Sequence, residues 1–257
     1  MKKLKNEMIQ ILKGLRQTHG ITAIKASFET EDIQLFELLR IVELATAAGV
    51  GIVVKLGGSE ALTDIRLAKM LGATAVLGPM IESKFALEKY LELCGRTFTA
   101  DEDVKYLINI ETAAGCSRIE EITSAYNVDM LDTVVLGRTD LSNSINANDV
   151  NAPEILALAQ ELFTKLKQRS IRCLVGGGIT AKTVPFLKQL NGLVDGFETL
   201  KVVFGNYSTA KHNLSEGIQL ALEYELKWYQ LKQQYYEERF QEDAKKIDRF
   251  SSIIGKP

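Results

Sequence analysis

The sequence predicts an α/β fold: one (β/α)8, or TIM, barrel over residues 1–257, with an N-terminal helix and a long C-terminal helical arm. Three observations predict it. Apolar, β-branched runs of strand length recur eight times. They are continuous rather than alternating, as parallel strands covered on both faces require. Amphipathic helical stretches separate most of them, and 257 residues over eight strands give about 32 per unit.

Taken in order, Lys3 to Gln17 (about residues 3–17) reads as a short amphipathic helix laid across one end of the barrel. The strands follow at Ile21–Ala26, Gly51–Lys55, Ala75–Met80, Tyr106–Glu111, Thr133–Gly137, Ile171–Val175, Gly196–Thr199 and Lys201–Phe204. Gly57-Gly58-Ser59 opens a helix that puts Leu62, Ile65 and Ala68 on one face. Asn151-Ala152-Pro153 opens another with a cap and an early proline, and Ile155, Leu158, Leu162 and Leu166 form its apolar stripe. The last two strands leave no room for a helix between them, which counts against perfect eightfold regularity. Beyond them an extension runs from about residue 215 to 250, and its segment Ser215 to Glu242 reads as one helix. Leu220, Tyr224, Trp228, Leu231 and Tyr235 line one stripe. About 28 residues at about 1.5 Å each span roughly 42 Å, more than one barrel covers. The helix either folds back on its own core or packs on a neighbouring subunit, and the excess length predicts a homo-oligomer.

Composition excludes several classes. Lysine and arginine number 31 against 33 acidic residues, so the net charge is −2, with no basic surplus for nucleic acid. The uncharged run Leu44 to Val54 holds 11 residues and Met70 to Ile81 holds 12, both short of the roughly 18 to 20 of a membrane helix. The basic N-terminus lacks the apolar stretch of a signal peptide. Cys94, Cys116 and Cys173 form no CxxC pair, which argues against a disulfide scaffold or structural zinc. A cytoplasmic protein is expected.

Functional residues of a parallel barrel gather at the C-terminal ends of its strands. The polar residues there are Glu29, Thr30, Lys55, Glu82, Glu111, Arg138, Asp140 and Glu198. Glu111 and Asp140 stand 29 residues apart, one strand–helix unit. Neighbouring strands lie about 4.8 Å apart, so the two carboxylates can share a cation, and oxygen ligands suit Mg²⁺ or Mn²⁺. Otherwise one caps a helix and the other pairs with a surface base.

The contexts of these residues resemble one family. Asn109-Ile110-Glu111-Thr112-Ala113 resembles the IET strand end of the HpcH/HpaI aldolase and citrate lyase β-subunit family. Leu136-Gly137-Arg138-Thr139-Asp140-Leu141-Ser142 is similar to its GPxDLS loop, and Gly78-Pro79-Met80-Ile81-Glu82-Ser83 to its PMVET segment. The similarity runs from about Ile21 to about Phe204 in the family's order. It implies a barrel that binds a divalent metal through Glu111 and Asp140 and makes or breaks carbon–carbon bonds beside pyruvate or acetyl groups. The backbone near Gly78 and Thr139-Asp140 would help hold the substrate carboxylate. Three positions depart from the pattern. Lys55 replaces an arginine, Thr30 stands where a histidine serves as the acid–base group, and Arg138 replaces a proline.

Two other features point away from a site. Gly176-Gly177-Gly178-Ile179-Thr180-Ala181 satisfies G-x-G-x-x-A, but it follows the sixth strand and reads as a tight glycine turn rather than a nicotinamide site. His19 precedes the first strand and belongs at the opposite face; His212 reads as a surface residue.

The resulting expectation is a Mg²⁺- or Mn²⁺-dependent lyase, aldolase-like, acting on a small 2-oxo acid or related carboxylate through an enolate. Glu111 and Asp140 hold the metal. Lys55 and Arg138 balance substrate charge, Gly78 and Thr139 contribute to substrate binding, and Glu29 is the acid–base candidate. The alternatives are a group-transfer enzyme acting on an enolpyruvyl substrate, and a ligand-binding homologue that keeps the metal site without turnover.

Overall fold

The computed structural model describes residues 2–255, apart from the side chain of Thr30. Helix α1 (Lys2–Thr18) leads into β1 (Ala23–Ser27), a single helical turn α2 (Phe28–Glu31), and α3 (Leu35–Ala48). Next come β2 (Gly51–Lys55), α4 (Leu62–Met70), β3 (Ala75–Gly78), α5 (Lys84–Thr97) and β4 (Lys105–Ile110). Short helices α6 (Ala113–Ser117) and α7 (Ile119–Ile122) precede β5 (Leu131–Gly137), and α8 (Arg138–Ser144) and α9 (Pro153–Gln168) precede β6 (Arg172–Gly176). The chain finishes with α10 (Val184–Gln189), β7 (Gly196–Glu198), β8 (Val202–Phe204), α11 (Tyr207–Ala210) and α12 (Leu214–Ile254).

The eight strands close into a barrel in chain order, and every expected strand is present with its ends moved by at most two residues. Strands β1 to β7 are parallel. β8 is not: it runs antiparallel to both β7 and β1. Only Thr199-Leu200-Lys201 separates β7 from β8, and a parallel crossover needs about a dozen residues or more. The crowding seen in the sequence therefore resolves as a hairpin. Its turn lies at the C-terminal face, where the parallel strands also end.

Side chains alternate across each strand. Ala23, Val53, Ala75, Leu77, Leu107, Val135, Leu174 and Val203 fill the barrel interior, while a larger apolar layer lies between barrel and helices. At the N-terminal face the interior stays open as a basin of about 540 Å³ with Lys69, Glu102, Asp103, Lys105, Asp132 and Arg172 among its lining residues.

Helix α1 does not cover that end, contrary to the expectation. It lies along the side, against α3 and α12, with Met8, Leu12 and Leu15 fully buried. Its apolar stripe needs an apolar partner, and the N-terminal rim is charged. Lys5 bonds Glu43 at 2.6 Å and Glu7 accepts from Lys227 at 2.8 Å, fixing α1 to both neighbours.

Helix α12 has 41 residues, about 61 Å at about 1.5 Å each, and runs beyond the expected Glu242. Its first half packs on the chain's own barrel through Ile218, Ala221, Tyr224, Trp228 and Leu231. The Trp228 ring lies 4.9 Å from Nζ of Lys201, whose ammonium pairs with Glu31; all three are buried or nearly so. Further along, Glu37 receives Lys232 at 2.8 Å and the Tyr236 hydroxyl at 3.0 Å, and Phe36 stacks on Tyr235. The second half carries exposed Phe240, Ile247, Phe250 and Ile254. No helix among the described residues is long and apolar enough to cross a membrane.

Candidate active site

A cavity of about 330 Å³ opens at the C-terminal face. Strand alternation supplies its walls: Lys25 and Ser27 follow Ala23 inward on β1, Lys55 follows Val53 on β2, and Asn109 and Glu111 follow Leu107 from β4. Gly137 and Gly176 end β5 and β6, and Glu198 ends β7. Glu29, Thr139, Asp140, Gly177, Gly178, Thr199 and Leu200 complete the lining.

Glu111 is 3% exposed. Its Oε1 accepts the Met80 amide at 3.0 Å and its Oε2 accepts Asn109 Nδ2 at 2.8 Å. Met80 adopts φ of 52°, an uncommon left-handed conformation that accompanies the turn of its amide to the carboxylate. A Cβ on Gly137 would come within 2.6 Å of Glu111 Oε2, so only glycine leaves the carboxylate its place. Burial raises the Glu111 pKa, and the nearby Asp140 adds to this, outweighing Lys55, Asn109 and Met80.

The Lys55 ammonium lies 2.6 Å from Glu29 Oε2 and 3.8 Å from Glu111 Oε2. Burial pulls its pKa down, but Glu111, Glu29 and Glu198 together raise it, so the side chain is cationic. Glu198, 3% exposed, pairs with Lys25. Two acceptors among the lining residues are enclosed without a hydrogen-bond partner, Asn109 Oδ1 and Glu198 Oε2.

The structure therefore gathers Glu29, Lys55, Glu111, Thr139 and Asp140 around one cavity. It does not bring Arg138 or the Gly78 Cα there. Gly137 faces inward, so Arg138 faces out; its side chain is fully buried. Its Nε donates to Gly176 O at 3.1 Å, Nη2 to Gly177 O at 2.6 Å and Nη1 to Asn151 Oδ1 at 2.9 Å, with the Phe186 ring 4.6 Å away. Burial pulls its pKa down to about 10, still cationic at neutral pH. Arg138 thus braces the glycine turn, in which Gly177 and Gly178 take φ of 78° and 62°. Gly78 backs onto the Tyr90 ring, 3.0 Å from where a Cβ would be. The Thr30 side chain, at the family's histidine position, is outside the described residues. His19 is buried beside Glu216, which contacts it at 3.8 Å from the start of α12, and His212 is exposed.

Sequence reasoning did not select Lys25, Asn109 or the role of Glu198. A lysine inside the apolar run Ile21–Ala26 was the available signal, since a charge there needs a buried partner.

The lining holds two lysines against four carboxylates, leaving it two charges negative when all are ionised. An anionic substrate entering alone would be repelled. Among the described residues no three histidine, cysteine or acidic side chains are grouped as a metal cage. Glu111 and Asp140 nonetheless offer hard oxygen donors beside the same cavity and leave coordination positions for substrate and water, the donor set of Mg²⁺ or Mn²⁺. The residues fit such an ion.

The sequence model of the HpcH/HpaI aldolase/citrate lyase family matches residues 19–176. Among solved structures, the fold is similar to the HpcH/HpaI aldolase of Desulfitobacterium hafniense, with 13% identity, a TM-score of 0.63, and 75% of this chain and 81% of that one covered. A HpcH/HpaI aldolase/citrate lyase family protein from Burkholderia cenocepacia gives 17%, 0.59, 74% and 83%. A variant of the citrate synthase SbnG gives 17%, 0.54, 75% and 80%. No curated protein sequence matches.

Proposed function

The chain belongs to the HpcH/HpaI aldolase/citrate lyase family, and on that premise we propose a divalent-metal-dependent carbon–carbon lyase acting, as a single domain, on a 2-oxo acid or related carboxylate. One observation carries this reading: buried Glu111 and exposed Asp140 line one cavity with a cationic Lys55 beside them. These two carboxylates would hold Mg²⁺ or Mn²⁺, which when bound supplies Lewis-acid stabilisation of developing enolate charge. Glu111 is oriented by Met80 and Asn109. Lys55 holds a positive charge toward the substrate's anionic end, and Glu29 fixes the ammonium in place. Thr139 and the glycine turn, braced by Arg138, shape the wall. Turnover on a panel of 2-oxo acids and aldehydes, with Mg²⁺, Mn²⁺ or a chelator, tests the reading. Metal binding with no turnover on any of them would favour a ligand-binding homologue.

Lys55 supplies charge and not a Schiff base, because two carboxylates keep its amine protonated. Incubation with pyruvate and borohydride is expected to leave Lys55 unmodified, and chelation to remove activity that Mn²⁺ or Mg²⁺ restores. A reduced pyruvyl adduct on Lys55 with chelator-resistant turnover would make this a lysine-dependent aldolase.

The exposed stripe on α12 suits a second copy of the chain. Tyr236, Phe240, Ile247, Phe250 and Ile254 recur at the three- and four-residue steps of a helix–helix seam, broken only at Asp243. Light scattering is expected to give a mass above 28.5 kDa, falling to the monomer when residues 237–257 are removed. A wild-type monomer at micromolar concentration would sink the idea.

A further inference from the structure

We propose that Glu198, held by Lys25, is the acid–base group of this site: it binds the hydroxyl of a 4-hydroxy-2-oxo acid and takes its proton as the carbon–carbon bond breaks. The inference rests on the lyase reading above and adds the group that reading lacks.

Buried carboxylates ordinarily have both oxygens bonded. Glu198 is 3% exposed, its Oε1 is bonded by the Lys25 ammonium, and its Oε2 has no donor among the described residues. The missing donor fits a group that arrives with the ligand. A polar residue also has to be placed against the reacting bond, and the glycines supply that geometry. A Cβ on Gly176 would stand 3.3 Å from Glu198 Oε1, as one on Gly137 would stand 2.6 Å from Glu111 Oε2. Gly137 and Gly176 are register partners on neighbouring strands, about 4.8 Å apart. Two carboxylates, from β4 and β7, therefore converge over one glycine pair. A substrate laid across that pair places its oxo-acid end toward Glu111 and its hydroxyl end toward Glu198.

Glu29 is a poorer base. It is exposed, so water competes for its carboxylate, whereas Glu198 is enclosed. His19 lies at the other end of the barrel, beside the start of α12.

The step balances without a redox partner. The hydroxyl proton moves to Glu198, and the O–H electron pair becomes the second bond of the aldehyde carbonyl. The C3–C4 bond breaks; its pair forms the C2–C3 double bond, and the C2 oxygen takes the negative charge. After the aldehyde leaves, the proton passes from Glu198 to C3. This yields the 2-oxo acid and restores the carboxylate.

The test uses inert ligands, so binding is read apart from turnover. With Mg²⁺ present, the full chain is titrated calorimetrically with oxalate, 2-hydroxybutanoate and 2,4-dihydroxybutanoate. Wild type is expected to bind oxalate and to prefer the dihydroxy acid by about 10- to 100-fold, the range for a hydroxyl on a charged acceptor. Glu198→Ala is expected to lose the preference and keep oxalate affinity. Glu198→Gln, nearly isosteric and checked by thermal melting, is expected to lower cleavage kcat by about 10²- to 10⁴-fold with KM little changed. Oxalate binding without a hydroxyl preference, or a preference that survives Glu198→Ala, would overturn the role of Glu198 and leave the lyase reading standing. So would wild-type kcat in a folded Glu198→Gln. Failure of wild type to bind oxalate with Mg²⁺ would remove the lyase reading and this inference together.

Discussion

Glu111→Gln and Asp140→Asn are each expected to abolish tight Mg²⁺ or Mn²⁺ binding and to lower lyase turnover by about 10³-fold or more. A Lewis acid contributes several kcal/mol at the transition state, and each ~1.4 kcal/mol is tenfold in rate. The two variants should differ in the fold. Glu111 is a buried carboxylate whose pKa is raised chiefly by burial, so its charged form weighs against the folded state near neutral pH. Glutamine keeps one acceptor for Met80 and removes that charge. Glu111→Gln should therefore melt at or above the wild-type temperature in metal-free buffer, whereas exposed Asp140 should leave it unchanged. Calorimetric titration and melting of both proteins check this. Wild-type metal affinity in either variant would remove that residue from the ion's ligands.

Trp228→Ala is expected to cost about 3–5 kcal/mol, the range for deleting a large buried aromatic. The ring is 1% exposed, it fixes α12 to the barrel, and it covers the buried Lys201 ammonium. At about 2–4 °C per kcal/mol for a chain of this size, the melting temperature should fall by about 10 °C. Denaturant unfolding gives the same quantity independently. A cost below about 1 kcal/mol would mean that the inner half of α12 is not integral to the barrel's stability.

The strands and the acidic pair were legible because each depends on local order. Continuous apolar runs gave eight strands, and their ends put Glu111 and Asp140 at one face. Orientation was less legible. A continuous apolar run does not reveal which of its residues point inward, so Arg138 reads as cavity-facing although alternation turns its side chain away. Long-range pairing was not legible at all. Lys25 meets Glu198 across 173 positions, and nothing near either residue names the other. Helix α1 fitted either place by its own pattern, and the polarity of the basin rim decided against the end. The reach of α12 past Glu242 was present in the spacing of Phe240, Ile247, Phe250 and Ile254, but the charged residues between them mask it.

The reversed last strand also sets where the ring is joined. β1 meets β2 over five register pairs and β8 over only two, Ala23 with Val203 and Ile24 with Val202. The nascent chain cannot form that joint until residue 204 has been made, so one edge of β1 waits unpaired for most of synthesis. Once made, the joint is strapped from inside, because Lys25 on β1 and Glu198 on β7 reach each other across the intervening β8. Lys201 straps it from outside, through Glu31 and Glu225. The pair that borders the cavity thus also spans the joint that closes the ring, and a molecule seated against Glu198 bears on that joint.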